Sequence, residues 1–206
     1  MAKLQWNEAA PLQAVAEARR HGVSDGDAGV TAGEIRGFQL VLLLARRGQA
    51  DAMRKTAKTQ FGADPGNEPR AVSGKNGCTM IWSGPDQFYA LTPKAKSKPV
   101  AQLQSKFAKS ASISDQSNGR SLIRISGPNV RDCLCKMLSV DLHPDVFSIG
   151  DAVSTQMAHM AVNVWRDKDD AFSILVFTSF AESLWRAILD HGAEFGIDIE
   201  TPEQLS

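Results

Sequence analysis

The chain is short of cysteine, of tyrosine and of net charge. Only Cys78, Cys133 and Cys135 occur among 206 residues, with a single tyrosine. An odd and sparse set of thiols cannot build a disulfide framework, and a chain of this length does not need one. Reduced thiols in a cytoplasm are expected. Lys+Arg and Asp+Glu both number 23, so the formal net charge is zero. Nucleic-acid binders draw much of their affinity from a net basic field, and none is present here. The one local basic run, Lys94, Lys96 and Lys98 between Pro93 and Pro99, reads as a solvated loop, or else as a contact for phosphate or an acidic partner.

Long apolar runs are missing too. The longest, residues 40–45, is far too short to cross a bilayer. Residues 1–20 lack a continuous apolar stretch and carry Glu8 and Glu17, which argues against a secretory signal. The hydrophobic share is 43% and the charged share 22%, ordinary globular usage that can fill a core. The length suits one compact domain or two small halves sharing a core.

Signatures of chemistry are equally scarce. Neither G-x-G-x-x-G nor G-x-x-x-x-G-K-[ST] occurs. Gly74-Lys75-Asn76-Gly77 precedes an expected strand, so it would not offer a helix N-terminus to a phosphate. Cys133 and Cys135 lie two apart on an expected helix, so they face different ways and cannot grip one ion. His21, His143, His159 and His191 have no ligand spacing among themselves or with a cysteine. His159 sits in a strand-like segment, where a packed, hydrogen-bonded histidine is expected. No G-x-S-x-G elbow marks a nucleophile. No catalytic, cofactor-binding or metal-ligating residue is therefore assigned.

The patterning that is present describes an α+β fold. Residues 38–45 form a continuous apolar run bounded by Arg46, Arg47 and Gly48, which predicts a buried strand. Met53, Ala57 and Phe61 recur at helical spacing ahead of Gly62, a C-terminal cap. Residues 64–77 read as a turn-rich loop, 78–83 and 87–91 as strands around the turn Gly84-Pro85-Asp86, and 99–109 as a helix burying Val100, Leu103 and Phe107. After the turn at Asn118-Gly119, residues 120–126 read as a strand. Val130, Cys133, Leu134, Met137 and Leu138 then mark a core-facing helical stripe. Residues 152–166 and 172–177 supply further strands. Ser179 with Glu182 fits a capping box for a last helix burying Ala181, Leu184, Trp185 and Ile188.

Upstream, residues 11–20 read as a short helix and 22–33 as an aperiodic arm. The expected organisation is an N-terminal arm over 1–33 and a domain over 34–206, in two similar α/β halves (34–111 and 112–198) with a short C-terminal tail. The strings MIWSGPDQFYAL and LIRISGPNVRDCL give a faint internal echo.

The most unusual string is Asp141-Leu-His-Pro144, followed by Phe147. His143 before a proline is held extended or in a turn. The string reads as a structural corner, a partner-contact corner or, least of all, a general acid/base. Taken in order, Gln116-Ser-Asn-Gly-Arg120, Ile125-Ser-Gly-Pro128, Asp141-Leu-His-Pro144 with Phe147, Val164-Trp-Arg166, and Ser179-Phe-Ala-Glu182 with Trp185 resemble the sarcosine oxidase gamma subunit family. Met80-Ile-Trp-Ser-Gly-Pro-Asp-Gln-Phe88 resembles that family's first-half motif. The resemblance covers roughly residues 70 to 195.

It implies a fold like that of the folate-binding aminomethyltransferases and a place in an alpha-beta-gamma-delta complex that oxidatively demethylates sarcosine or a related N-methyl amino acid. The one-carbon unit would pass to tetrahydrofolate. FAD, FMN, NAD, tetrahydrofolate and zinc would sit in other subunits, none in this chain. His143, Pro144, Phe147, Arg120 and Arg166 are the candidate partner contacts. The alternative is a free-standing folate-binding or one-carbon transfer protein, because a fold does not fix a function.

Overall fold

The computed structural model describes residues 10–206. In chain order the elements are β1 (Arg19–His21), β2 (Val30–Arg36), β3 (Phe38–Ala45), α1 (Ala50–Phe61), β4 (Ala71–Ser73), β5 (Thr79–Gly84), β6 (Gln87–Pro93), α2 (Val100–Phe107) and β7 (Ala111–Asp115). There follow β8 (Arg120–Ser126), α3 (Val130–Cys135), β9 (Ala152–Met157), β10 (Met160–Lys168), β11 (Ala171–Phe177), α4 (Ala181–Gly192), β12 (Ile197–Ile199) and β13 (Glu203–Gln204). The smaller sheet runs β4-β5-β6-β3-β7 and the larger β1-β12-β2-β8-β11-β10-β9, with β13 also on β2.

Side-chain alternation along the strands places every layer. On β3, Val41 and Leu43 pack with Met53, Ala57, Phe61, Leu103 and Phe107, beneath α1 and α2. Leu40 and Leu42 point the other way. A strand buried on both faces reads as an unbroken apolar run, which is why residues 38–45 look as they do. On β8, Ile123 and Ile125 face α3 and α4, together with Leu184, Trp185 and Ile188. Leu122 faces inward to meet Leu40, Ile81, Leu91, Trp165 and Leu175. The result is four layers, helix–sheet–sheet–helix, with the two sheets face to face.

Several expected elements differ. Residues 11–15 form only a turn, closed where the Ala16 N–H donates to the Leu12 carbonyl at 2.8 Å. The chain must then extend so that β1 can pair with β12, where Arg20 meets Asp198 at 2.6 Å. The arm expected through residue 33 ends sooner. β2 begins at Val30 and is an interior strand of the larger sheet, so Glu34 lies within a strand. The expected division at 111/112 falls inside β7, which pairs with β3. The smaller sheet thus spans residues 38–115, while the larger draws on both ends of the chain, including the expected C-terminal tail through β13.

At α4 the expected capping box does not form. A 3-10 turn over Thr178–Phe180 leads in, the helix has no side-chain cap, and Glu182 pairs with Arg186 instead. The Ser-Gly-Pro echo ends a strand both times and then diverges, into a hairpin after β5 and into α3 after β8. At Gly127 (φ +118°) a Cβ would come within 2.5 Å of the Gly29 carbonyl oxygen, so only glycine lets these two segments approach.

Candidate functional site

Two regions gather the sequence-predicted residues, one at each end of β11. The first is the corner over residues 141–152. Its backbone is wound on itself: the Val146 and Phe147 N–H groups donate to the His143 carbonyl at 2.9 and 2.8 Å, and the His143 N–H donates to the Asp141 carboxylate at 2.8 Å. The Asp145 N–H donates to His143 Nδ1 at 3.3 Å. The His143 side chain is 63% exposed, and Pro144 is exposed beside it.

Beneath this rim the corner is fixed from within. Phe147 is buried against Phe172, with ring centroids 6.3 Å apart. The Arg166 side chain is only 4% exposed. Its Nη1 donates to the Phe147 carbonyl at 2.7 Å, its Nε to the Lys168 and Asp169 carbonyls at 3.2 Å each, and its Nη2 to the Asp169 carboxylate at 3.1 Å. The bulge in β10 between Arg166 and Lys168 turns those carbonyls toward the guanidinium. Phe147 and Arg166 therefore serve the shape of the corner, while His143 and Pro144 form its surface. Val146 and Ile149 add exposed apolar area, at 60% and 49%.

Sequence reasoning missed two further arginines here. Arg131 donates through Nε to the Leu142 carbonyl at 3.2 Å, pairs with Asp170 and lies over Phe172. Arg70 reaches from the smaller half to Asp151 at 2.6 Å and to the Ile149 carbonyl at 2.9 Å. The Ala71 and Ala152 N–H groups add backbone bonds to Gly150 and Pro69 across the same seam. No local pattern announces partners this far apart in sequence.

The second region surrounds Arg120. Its guanidinium lies 3.4 Å from the centroid of Phe177, its cross-strand neighbour, and 5.5 Å from that of Tyr89 in the smaller half. Nη2 donates to the Tyr89 hydroxyl at 2.8 Å. Phe177 and Phe180 are partly exposed here. A cleft of about 730 Å³ opens beside Arg120 and is lined by residues of both halves, among them Arg36, Gln39, Asn118, Ser121 and Gln204. Both chain crossovers between the halves, at Gly37 and at 116–119, lie on it.

The remaining candidates fall outside both regions. Cys133 is buried and its thiol is pushed up to about 11, chiefly by desolvation; burial likewise raises Cys78 and Cys135. None is an activated thiolate at neutral pH. Cys133 faces the core and Cys135 solvent, as their helical spacing predicts. His159 is not in a strand: with Ala158 it forms the two-residue turn of the β9–β10 hairpin, both at positive φ, and it is exposed. In the basic run, Lys98 Nζ donates to the Gln60 backbone and side-chain oxygens at 3.0 and 2.9 Å. Lys75 Nζ donates to the Thr59 carbonyl at 2.9 Å. Among the described residues no cluster of His, Cys, Asp or Glu has metal-site geometry, and no helix is long and apolar enough to cross a membrane.

The model of the sarcosine oxidase, gamma subunit family matches residues 67–194. Sarcosine oxidase subunit gamma from Corynebacterium sp. (strain P-1) is 30% identical over 119 residues, 58% of this chain and 59% of that relative. This match thus spans less than two thirds of the relative's length. Its counterpart from Corynebacterium sp. (strain U-96) is 28% identical over 194 residues, 94% of this chain and 92% of the relative. A chain of the solved heterotetrameric sarcosine oxidase from Corynebacterium sp. U-96 superposes with a TM-score of 0.76 at 25% identity, covering 91% of this chain and 95% of that one. The glycine cleavage system aminomethyltransferase T from Bartonella henselae, at 12% identity, shares the fold alone, with a TM-score of 0.60 over 85% of this chain and 48% of its own. The expected aminomethyltransferase-like architecture of two α/β halves is therefore present. With the family model covering most of the chain and the corner motif inside the matched span, this chain belongs to the sarcosine oxidase gamma subunit family.

Proposed function

We propose that this chain is a non-catalytic, structural gamma subunit of a heterotetrameric flavoenzyme. The complex oxidatively demethylates sarcosine or a related N-methyl amino acid and passes the one-carbon unit to tetrahydrofolate. The observation that carries this reading is the likeness, over 91% of the chain, to a chain of a heterotetrameric sarcosine oxidase. FAD, FMN, NAD, tetrahydrofolate and zinc belong to the alpha, beta and delta partners. The thiols, unpaired and in two cases buried, suit a cytoplasmic setting.

The corner at 141–149 is the surface we assign to a partner. His143 and Pro144 supply its polar and rigid parts, Val146 and Ile149 its apolar area, and Phe147 and Arg166 hold it from below. A preorganised patch binds with a smaller ordering cost than a mobile one. Arg120, stacked between aromatic rings, is the second candidate contact.

The test is a tagged pull-down from the native host, read by mass spectrometry and by the flavin absorbance of the eluate. Co-purification of a large FAD/NAD-type subunit, a mid-sized flavoprotein and a small Cys/His-rich chain is expected. A colourless chain without partners would contradict the proposal. Titration with tetrahydrofolate would then test the free-standing folate-binding alternative.

A further inference from the structure

The zero net charge of the chain hides a separation of charge along the fold. Residues 38–115, the span of the smaller sheet, carry 12 Lys or Arg against 5 Asp or Glu, a formal +7. The remaining residues carry 11 against 18, a formal −7. A surface tuned for solubility alone interleaves the two signs, and segregated like charges repel one another within the folded chain.

Part of this excess gathers at the end of the smaller sheet away from both crossovers. β3 leaves Gly37 and reaches Ala45 roughly 25 Å further on, at about 3.3 Å per residue. There Ala45 pairs with Ala111 of β7. The Arg46 N–H donates to the Ser110 carbonyl at 2.9 Å, and Arg46 Nε donates to the Ala108 carbonyl at 3.1 Å. These bonds set the lead-in to α1 beside the end of α2, so Arg46, Arg47, Lys106 and Lys109, all exposed, share one rim. Among the described residues Arg47, Lys106 and Lys109 pair with no carboxylate. The acids nearby are Asp86, in the β5–β6 turn that accepts the Ala45 N–H at 3.0 Å, and Asp51, already held by Arg54. A helix C-terminus attracts cations, which explains Lys106 and Lys109 at the end of α2. It does not explain Arg47, which stands just ahead of the N-terminus of α1, where the helix end is itself positive. Nor does it explain Leu44, which is 45% exposed beside these cations.

We propose that this rim docks an acidic face of a partner subunit, with Leu44 at its apolar centre and Arg46, Arg47, Lys106 and Lys109 around it. The choice of a subunit as partner rests on the function proposed above. An apolar centre ringed by charge is the anatomy of a protein interface. A nucleic acid would gain nothing from the leucine, and the −7 of the other half would repel an extended polyanion. A second copy offers that acidic half as a complement, but such a head-to-tail contact joins unlike surfaces and grows into rings or open chains. The corner at 141–149 lies in the acidic half, with Asp145 and Asp169 88% and 86% exposed. The rim is therefore a separate surface of opposite sign, suited to a different face of the assembly.

The experiment has two arms. The first is an NMR titration of the full chain with a hexaglutamate peptide at low ionic strength, where such contacts are least screened. Saturable shifts centred on Leu44, Arg47, Lys106 and Lys109 are expected, and they should vanish in Arg47→Glu/Lys109→Glu. Arg47→Gln/Lys109→Gln should fall between, and decides the matter if the reversal does not fold. Shifts spread evenly over the other lysines of the smaller half, or unchanged in the variants, would overturn the site. Tighter binding of a DNA duplex than of hexaglutamate at physiological ionic strength, or salt-reversible self-association of the chain, would overturn the choice of partner. The second arm mixes the chain with its partner subunits stripped of it and follows association by stopped flow. Raising the salt should slow wild-type association by about tenfold or more, and Arg47→Glu/Lys109→Glu should be slow already at low salt, with dissociation little changed. Equal rates for both proteins with no salt dependence would overturn the docking. No association of the wild type would sink the subunit reading and the choice of partner with it, while the first arm decides separately whether the rim takes an acidic chain.

Discussion

Replacing Arg166 with methionine separates the two interactions that hold the corner. The ion pair with Asp169 looks prominent, but that carboxylate is 86% exposed. An exposed partner is screened by water, and such pairs contribute about 0–1 kcal/mol. The bond from Nη1 to the Phe147 carbonyl at 2.7 Å is buried. Removing the guanidinium strands that carbonyl, at about 1–3 kcal/mol for an unsatisfied buried group. The Lys168 and Asp169 carbonyls can turn to solvent at much smaller cost.

Arg166→Met should therefore destabilise the chain by about 2–4 kcal/mol, dominated by the Phe147 carbonyl. Asp169→Asn should cost under about 1 kcal/mol. Urea denaturation of the isolated chain gives both values, and limited proteolysis of residues 143–150 should show a loosened corner in Arg166→Met alone. Equal costs for the two variants, or a cost for Arg166→Met under about 1 kcal/mol, would refute the reasoning.

Four further outcomes are expected. His143→Ala, at an exposed position, should change stability by no more than about 0.5 kcal/mol; it should lower the yield of assembled complex more than the turnover of the complex that forms, and intact assembly with abolished turnover would contradict this. Leu184→Ala removes a fully buried side chain under the larger sheet and should cost about 2–5 kcal/mol in the same denaturation assay. For Cys133, burial pushes the thiol up from its ordinary 9.0 to about 11. The raised folded value means that its stabilising contribution is whole below the unfolded pKa and falls away as pH climbs from near 9 toward 11, so wild type should lose stability across that window and Cys133→Ser should lose less. At neutral pH, thiol labelling should modify exposed Cys135 well before buried Cys133.

What could be read from sequence was what local spacing encodes. The β3 run, the stripe Met53, Ala57 and Phe61 with Gly62 behind it, and the apolar face of α4 are all local, and all are present. The failures share one physical cause. β1 is three residues long and β2 takes its partners from β8, β12 and β13, far along the chain, so neither has a local signature. The start of α4 shows the same effect: Ser179 and Glu182 satisfy the motif, yet the chain enters by a 3-10 turn after β11, and no capping bond forms. At the corner, Asp141-Leu-His-Pro144 drew attention to the right place because a histidine locked before proline is locally unusual. The groups that hold it were less legible, since Arg70 lies 81 residues from Asp151 and Arg131 lies 39 from Asp170. Arg120 was noticed only as part of a family string, and its stacking on Tyr89 and Phe177 emerges from the packing of one half on the other.

Native mass spectrometry of the chain, purified under gentle conditions from its host, addresses the subunit reading with the fewest assumptions. A single assembly containing one copy of this chain with three different partner chains and bound flavin is the expected result. A free 22.3 kDa chain, or a homo-oligomer of it without flavin, would contradict the role proposed here.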